Sequence, residues 1–176
     1  MKSISFNPFP VLKTERLTLR QLSIDDDKEI FLLRSDMEVN KYIDRDPCGT
    51  IEEARKFIQK ITEFVDQNNG IYWAITLENN NLVGTICMFN FSYEISQAEI
   101  GYELLPTFQG QGIMHEAITK VIEYGIHNMG LKSIEGFTHI ENLPSSKLLE
   151  KCNFKKQEEK DSNSNELFVL YKLSTV

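Results

Sequence analysis

The sequence predicts an α/β (α+β) fold: a mixed, mostly antiparallel central sheet of about six to seven strands with helices on both faces. Three observations predict it. Between residues 70 and 105, three strand-like runs follow one another through connections too short for anything but antiparallel pairing. Amphipathic helical patterns flank that meander at 50 to 69 and 113 to 129. Beyond them, strand-like runs at 132 to 140 and 166 to 173 enclose a short helical segment. At 176 residues the chain can bury one core and is too short for two ordinary domains. Residues 1–176 therefore read as one domain with an extended lead-in over 1–13.

In that lead-in, Pro8 and Pro10 disfavour helix. "RLTLRQL" (16 to 22) alternates Leu17 and Leu19 with polar residues, the period of a half-buried strand. Ser23 and the acidic turn Asp25 to Asp27 suit the positive end of a helix running to about Ser35, with a short second helix over 37 to 43. In the helix from 50 to 69, Thr50 and Glu53 form a capping-box pattern. Ala54, Phe57, Ile58, Ile61 and Val65 give it an apolar stripe. "GIYWAITL", "LVGTICMFNF" and "AEIGYELL" are the meander strands, and Pro106 ends them. Ile113, Ala117, Ile118, Val121, Ile122 and Gly125 line one side of the next helix. "LPSSKLLEKC" (143 to 152) is a short helix, and "KDSNSN" (160 to 165) a polar loop before the last strand.

Composition excludes several classes. The net charge is −7 without a Lys/Arg block, so there is no basic footprint for nucleic acid. No apolar run reaches the roughly 18 residues that span a bilayer, and no secretory signal pattern opens the chain, so no membrane and a cytoplasmic location are expected. Cys48, Cys87 and Cys152 are widely separated, and His115, His127 and His139 are scattered; reduced thiols and no metal site follow.

"PTFQGQGIMHEA" carries the chemistry. Its glycines can take positive φ and leave the backbone open to close approach. Their amides, with those of the helix's first turn, would be unsatisfied donors facing one space. A phosphate there accepts several charge-assisted bonds of roughly 1.5–3 kcal/mol each, more than the helix dipole adds. A dinucleotide fingerprint needs a third glycine, where Ile113, Met114 and His115 stand, and a Walker loop needs Gly-Lys-Ser/Thr. A glycine turn with no ligand also remains open on this stretch alone.

The rest of the chain, from about residue 14 onward, resembles the GNAT superfamily of N-acetyltransferases, and within it the ribosomal-protein N-terminal (alanine/serine) acetyltransferase branch. "TERLTLRQLSIDD", "LVGTI", "AEIGYEL", "QGQGIM" and "ENLPSSKLLEKCNF" carry the resemblance in order. It implies acetyl-CoA as cosubstrate and direct attack by a primary amine in a ternary complex. The implied cofactor-binding residues are Leu104, Leu105, Gln109, Gly110, Gln111, Gly112, Ile113, Met114 and Asn142. Leu104 and Leu105 would supply an oxyanion N–H, and Asn142 would cap the last helix and meet the pantetheine arm.

Glu99 is the candidate base, with Glu103 in reserve on the same strand face. Ser145, in N-x-x-S, is the candidate acid, and Tyr171 a spare one. The chain departs from the family pattern at Met114, at Asn153, and at Leu149, which stands where many members place a tyrosine acid.

An α-amine is deprotonated at neutral pH for about 1.4 kcal/mol against roughly 4.6 for a lysine, which favours a peptide N-terminus as acceptor. A small-molecule amine such as a polyamine or aminoglycoside is the alternative, as is a non-catalytic acyl-CoA-binding protein. A nicotinamide-dinucleotide protein is a third reading. Acceptor selection is expected in the early helices and the 160 to 165 loop, and the chain as a monomer or homodimer.

Overall fold

A computed structural model describes residues 5–158 and 167–175; the loop at 160 to 165 lies outside them. In chain order the elements are β1 (Leu12–Lys13), β2 (Thr18–Gln21), α1 (Asp27–Ser35), α2 (Met37–Asn40), α3 (Ile51–Asp66), β3 (Gly70–Thr76), β4 (Leu82–Ser92), β5 (Gln97–Leu104), α4 (Ile113–His127), β6 (Ser133–His139), α5 (Leu143–Lys151), β7 (Lys155–Lys156) and β8 (Phe168–Ser174). They form one mixed sheet of eight strands in the order β1-β2-β3-β4-β5-β6-β8-β7. The two beyond the six strand-like runs are two-residue strands, β1 and β7, too short to carry a period in the sequence.

The caps follow local chemistry. Ser23 and Asp26 exchange reciprocal hydrogen bonds ahead of α1. At α3, the Thr50 hydroxyl accepts from the Glu53 N–H, but the Glu53 carboxylate reaches the N–H of Gly49 at 2.7 Å, not that of Thr50. Only half of the expected capping box therefore forms as written.

Adjacent residues on β3 divide the helices between the two faces of the sheet. Tyr72 meets Phe57 of α3 edge-on, and Trp73 meets Tyr124 of α4 the same way. The α3 stripe packs as its spacing predicts, with Ala54, Ile58 and Val65 buried. On the α4 face, Met88 closes against Gly125, where an added Cβ would lie 3.0 Å from its terminal methyl.

Every pairing is antiparallel except that of β5 with β6, which is parallel and lasts for only three rungs, Gln97 to Glu99 against Ser133 to Glu135. Beyond Glu99, β5 runs on to Leu104 along β4, while β6 runs on to His139 along β8. The sheet opens there into a V between the C-terminal ends of β5 and β6. The crossover β5–α4–β6 is thus a parallel βαβ unit, which the meander upstream of it had concealed in the sequence.

Candidate active site

At the head of α4 the backbone turns sharply. Gly110 has φ +73°, Gly112 has φ +77°, and Gly112 is the residue from which the helix starts. Among the described residues, no hydrogen bond takes up the N–H groups from Gly110 to His115. The N–H of Gln109 is different: it is spent on the Pro106 carbonyl, and the Gln109 amide side chain donates to the Leu104 carbonyl at 2.9 Å. An added Cβ at Gly110 would meet nothing within 4 Å, so the turn is open on that side. Ile113 and Met114 turn their side chains into the core and offer only their amides outward.

A clasp that sequence reasoning missed holds this turn from behind. Arg16 donates through Nη1 to the Gln111 carbonyl at 3.0 Å and through Nε to Glu116 at 2.7 Å. The Arg16 N–H and the Thr14 hydroxyl close onto the same carboxylate. With the Gln111 carbonyl pulled towards Arg16, the N–H of Gly112 in the same planar peptide must point the other way. Burial alone would push the Glu116 carboxyl up, but the bonds from Thr14 and Arg16 outweigh it and hold the group below its ordinary value. A hundred residues separate Arg16 from Glu116, so no local pattern could have joined them.

The V between β5 and β6 lies next to the turn. The Leu105 N–H donates to the Val83 carbonyl at 3.0 Å and is used within the sheet. By strand alternation, the N–H groups of Leu104 and Tyr102 face the side from which β6 has departed. Of the two sequence candidates for an oxyanion donor, Leu104 is the one with its amide turned into the gap. On the β6 arm the Thr138 hydroxyl is buried and has no partner among the described residues.

The titratable candidates divide between the faces. Glu99 sits at the apex of the V, on the last rung, and accepts a hydrogen bond from Asn90 at 3.0 Å. Glu103 shares that face further out and is gripped by both terminal nitrogens of Arg45, at 2.6 and 2.7 Å. Both partners of this pair are about one-seventh exposed (14% and 15%), so it is largely desolvated.

On the opposite face, Asn142 caps α5 by accepting from the Ser145 N–H. The Ser145 hydroxyl lies 2.8 Å from the phenol oxygen of Tyr102. Leu149 is buried, against Gly136 of β6. Tyr171 is buried with its hydroxyl on Glu150, 3.3 Å away. Burial pushes the Cys87 thiol up to about 12 and that of Cys152 up to about 11, so neither is a thiolate at neutral pH.

Two further bridges cross the V. Tyr102 reaches from β5 to Ser145 of α5 on one face. On the other, the segment after α2 spans both arms: Arg45 holds Glu103 of β5, while Tyr42 stacks on His139 of β6 at 5.3 Å. Phe168 of β8 meets the other side of the His139 contact edge-on at 5.6 Å. Tyr102 had a signal in the sequence, a polar-tipped residue between Ile100 and Leu104 on an apolar strand face beside Pro106. Tyr42 and Arg45 had none. Among the described residues there is no group of three or more His, Cys, Asp or Glu placed to hold a metal, and no helix long and apolar enough to cross a membrane.

Comparison with known proteins agrees with this architecture. The chain is 35% identical over 150 residues to the uncharacterized N-acetyltransferase YoaA of Bacillus subtilis (strain 168), covering 85% of each protein. It is 37% identical over 148 residues to the uncharacterized N-acetyltransferase p20 of Bacillus licheniformis, covering 83% of each. The solved structure of RimL, a ribosomal L7/L12 alpha-N-protein acetyltransferase in complex with coenzyme A, shares the fold with a TM-score of 0.81 at 18% identity. That match covers 94% of this chain and 98% of RimL. The model of the acetyltransferase (GNAT) domain matches residues 16–155, which span the open amides, the V and α5. The chain belongs to the GNAT acetyltransferase family.

Proposed function

We propose that the protein is an acetyl-CoA-dependent N-acetyltransferase that moves an acetyl group to a primary amine by direct attack, with a peptide N-terminal α-amine as the favoured acceptor. The observation that carries this reading is the run of unused N–H groups from Gly110 to His115, set beside a sheet that parts after three rungs. The residues present fit the coenzyme. Diphosphate oxygens need convergent donors, the amides supply them, and the acidic surface need not contribute. RimL, which shares the fold, is described with coenzyme A bound. When bound, the thioester supplies an activated acetyl group and a thiol leaving group.

The chain's own part follows from position. The amides of Gly110 to Met114 hold the diphosphate, and Asn142 and the inner edge of β5 hold the arm that leads into the V. The Leu104 N–H is the donor for charge on the carbonyl oxygen, where a buried hydrogen bond acts before any reorganisation is needed. Glu99, at the apex, takes the amine proton through water. Ser145, on the opposite face, serves the leaving sulfur. The protonated thiols of Cys87 and Cys152 support attack without an acyl-enzyme. An α-amine needs only about 1.4 kcal/mol to lose its proton at neutral pH, within reach of one carboxylate, and RimL is named for an α-N-protein activity.

The test is release of coenzyme A thiol from acetyl-CoA by the purified chain, with N-terminal peptides, a polyamine and an aminoglycoside as acceptors. Turnover is expected, fastest with peptides, and Glu99→Gln should lower kcat about a hundredfold while acetyl-CoA still binds. Binding without turnover on every acceptor would instead make the chain a non-catalytic acyl-CoA binder. Thermal stabilisation by NAD and none by acetyl-CoA would overturn the coenzyme assignment.

A further inference from the structure

Three tyrosines stand on strands of the sheet, and two are committed elsewhere. Tyr72 is buried with its hydroxyl on Thr85 at 2.9 Å, and Tyr171 is tied to Glu150. The helix position at which the family resemblance implies a tyrosine holds Leu149, which is packed against Gly136. Tyr102 remains. It lies past the last β5–β6 rung, and its hydroxyl crosses the gap to Ser145 Oγ at 2.8 Å.

That contact can be polarised in two ways. If Ser145 donates to Tyr102, its only proton is consumed and it has none to offer the sulfur. If Tyr102 donates, the serine's own O–H is left to turn into the V, and a hydroxyl that accepts one hydrogen bond becomes a better donor of the next. Only the second arrangement leaves the serine a proton for the sulfur. The Tyr102 phenol has no other acceptor among the described residues, and burial pushes it up to about 12, so it keeps its proton at working pH. The Ser145 N–H is already fixed to Asn142, so the serine backbone is held while its hydroxyl is aimed.

We propose that Tyr102 is a positioning residue for Ser145: its phenol donates to Ser145 Oγ and so directs the serine O–H into the V, towards the leaving sulfur. This rests on the acetyltransferase reading above. No bond is made or broken at Tyr102, and its whole effect passes through the serine. The arrangement gives a strand tyrosine part of the work that the helix cannot do with Leu149.

The test compares wild type, Tyr102→Phe, Ser145→Ala and the double variant, each checked for an unchanged melting profile. Tyr102→Phe keeps the ring and its packing, so kcat should fall about tenfold with the KM for acetyl-CoA unchanged. In the double variant the loss should equal that of Ser145→Ala alone, because the two act as one unit. A second readout needs no turnover: with 13C at the tyrosine Cζ positions, the Tyr102 signal of the ligand-free protein should move in Ser145→Ala. Wild-type turnover with Tyr102→Phe equally active, or losses that multiply in the double variant, would overturn the proposal alone. So would a Tyr102 signal indifferent to Ser145→Ala. A wild type that binds acetyl-CoA and turns over no amine would overturn the function, and this inference with it.

Discussion

At the head of α4 the contacts offered to a ligand are main-chain N–H groups, aimed by two left-handed glycines and by Arg16 behind them. Across the V, the segment after α2 meets both arms through side chains, Arg45 on Glu103 and Tyr42 on His139. The difference teaches which half of the site a relative can change. Amides are present whatever residue carries them, so the first region tolerates Met114 in place of a small residue. A guanidinium fork and an aromatic stack depend on particular side chains, so replacing one alters the shape of that side of the V while the amide turn stays intact.

The comparison breaks most visibly where both regions share a support. At Gly84 an added Cβ would lie 2.4 Å from the Glu103 carbonyl oxygen and 3.1 Å from Leu104 Cα. Gly84→Ala should therefore push β4 and β5 apart beside the V and cost about 3 kcal/mol, the upper end for overpacking. A melting experiment should show Tm falling by roughly 6–12 °C, with acetyl-CoA and acceptor kinetics both impaired.

Arg45→Ala sharpens the contrast by touching one region only. It leaves Glu103 with an unpaired, largely buried charge and should cost about 2 kcal/mol by chemical denaturation. The KM for the acceptor should rise while the affinity for acetyl-CoA, measured calorimetrically, holds. Arg45→Lys should recover only part, since an ammonium cannot make the two-pronged contact.

On the amide side, Gly112→Ala forces a side chain into φ +77°, with its Cβ 3.4 Å from Arg16 Nη2. About 1–2 kcal/mol of strain is expected, along with a rise of about tenfold in the acetyl-CoA Kd. Gly112→Asn should do less harm, because asparagine tolerates that region.

The smallest effect concerns acid. Glu116 is held below its ordinary value in the folded chain, so its clasp stabilises fully above the unfolded value of about 4.3 and is lost as pH falls through the folded value. Wild type should shed this contribution in an acid titration followed by Tm. Glu116→Gln should start lower at neutral pH and show a flatter acid limb.

The sequence made the amide side legible and left the Arg45 side dark, for a physical reason. Helical period, strand alternation and the Gly-x-Gly turn are local, and α3, α4 and the meander lie within three residues of where those patterns put them. The V left no local mark, since nothing in "AEIGYELL" says where a neighbour 36 residues away stops pairing. The Arg16–Glu116 clasp and the Arg45–Glu103 fork join residues 100 and 58 positions apart. Glu103 looked available as a reserve base only because its partner could not be seen.

A sheet whose halves share three rungs has a seam. Strands β1 to β5 lie on one side of it and β6 to β8 on the other, joined there by few hydrogen bonds, so amide exchange should be fastest along that line and force applied across it should open it first. A molecule threaded into the gap would act as a stitch, coupling the two parts so that they melt together.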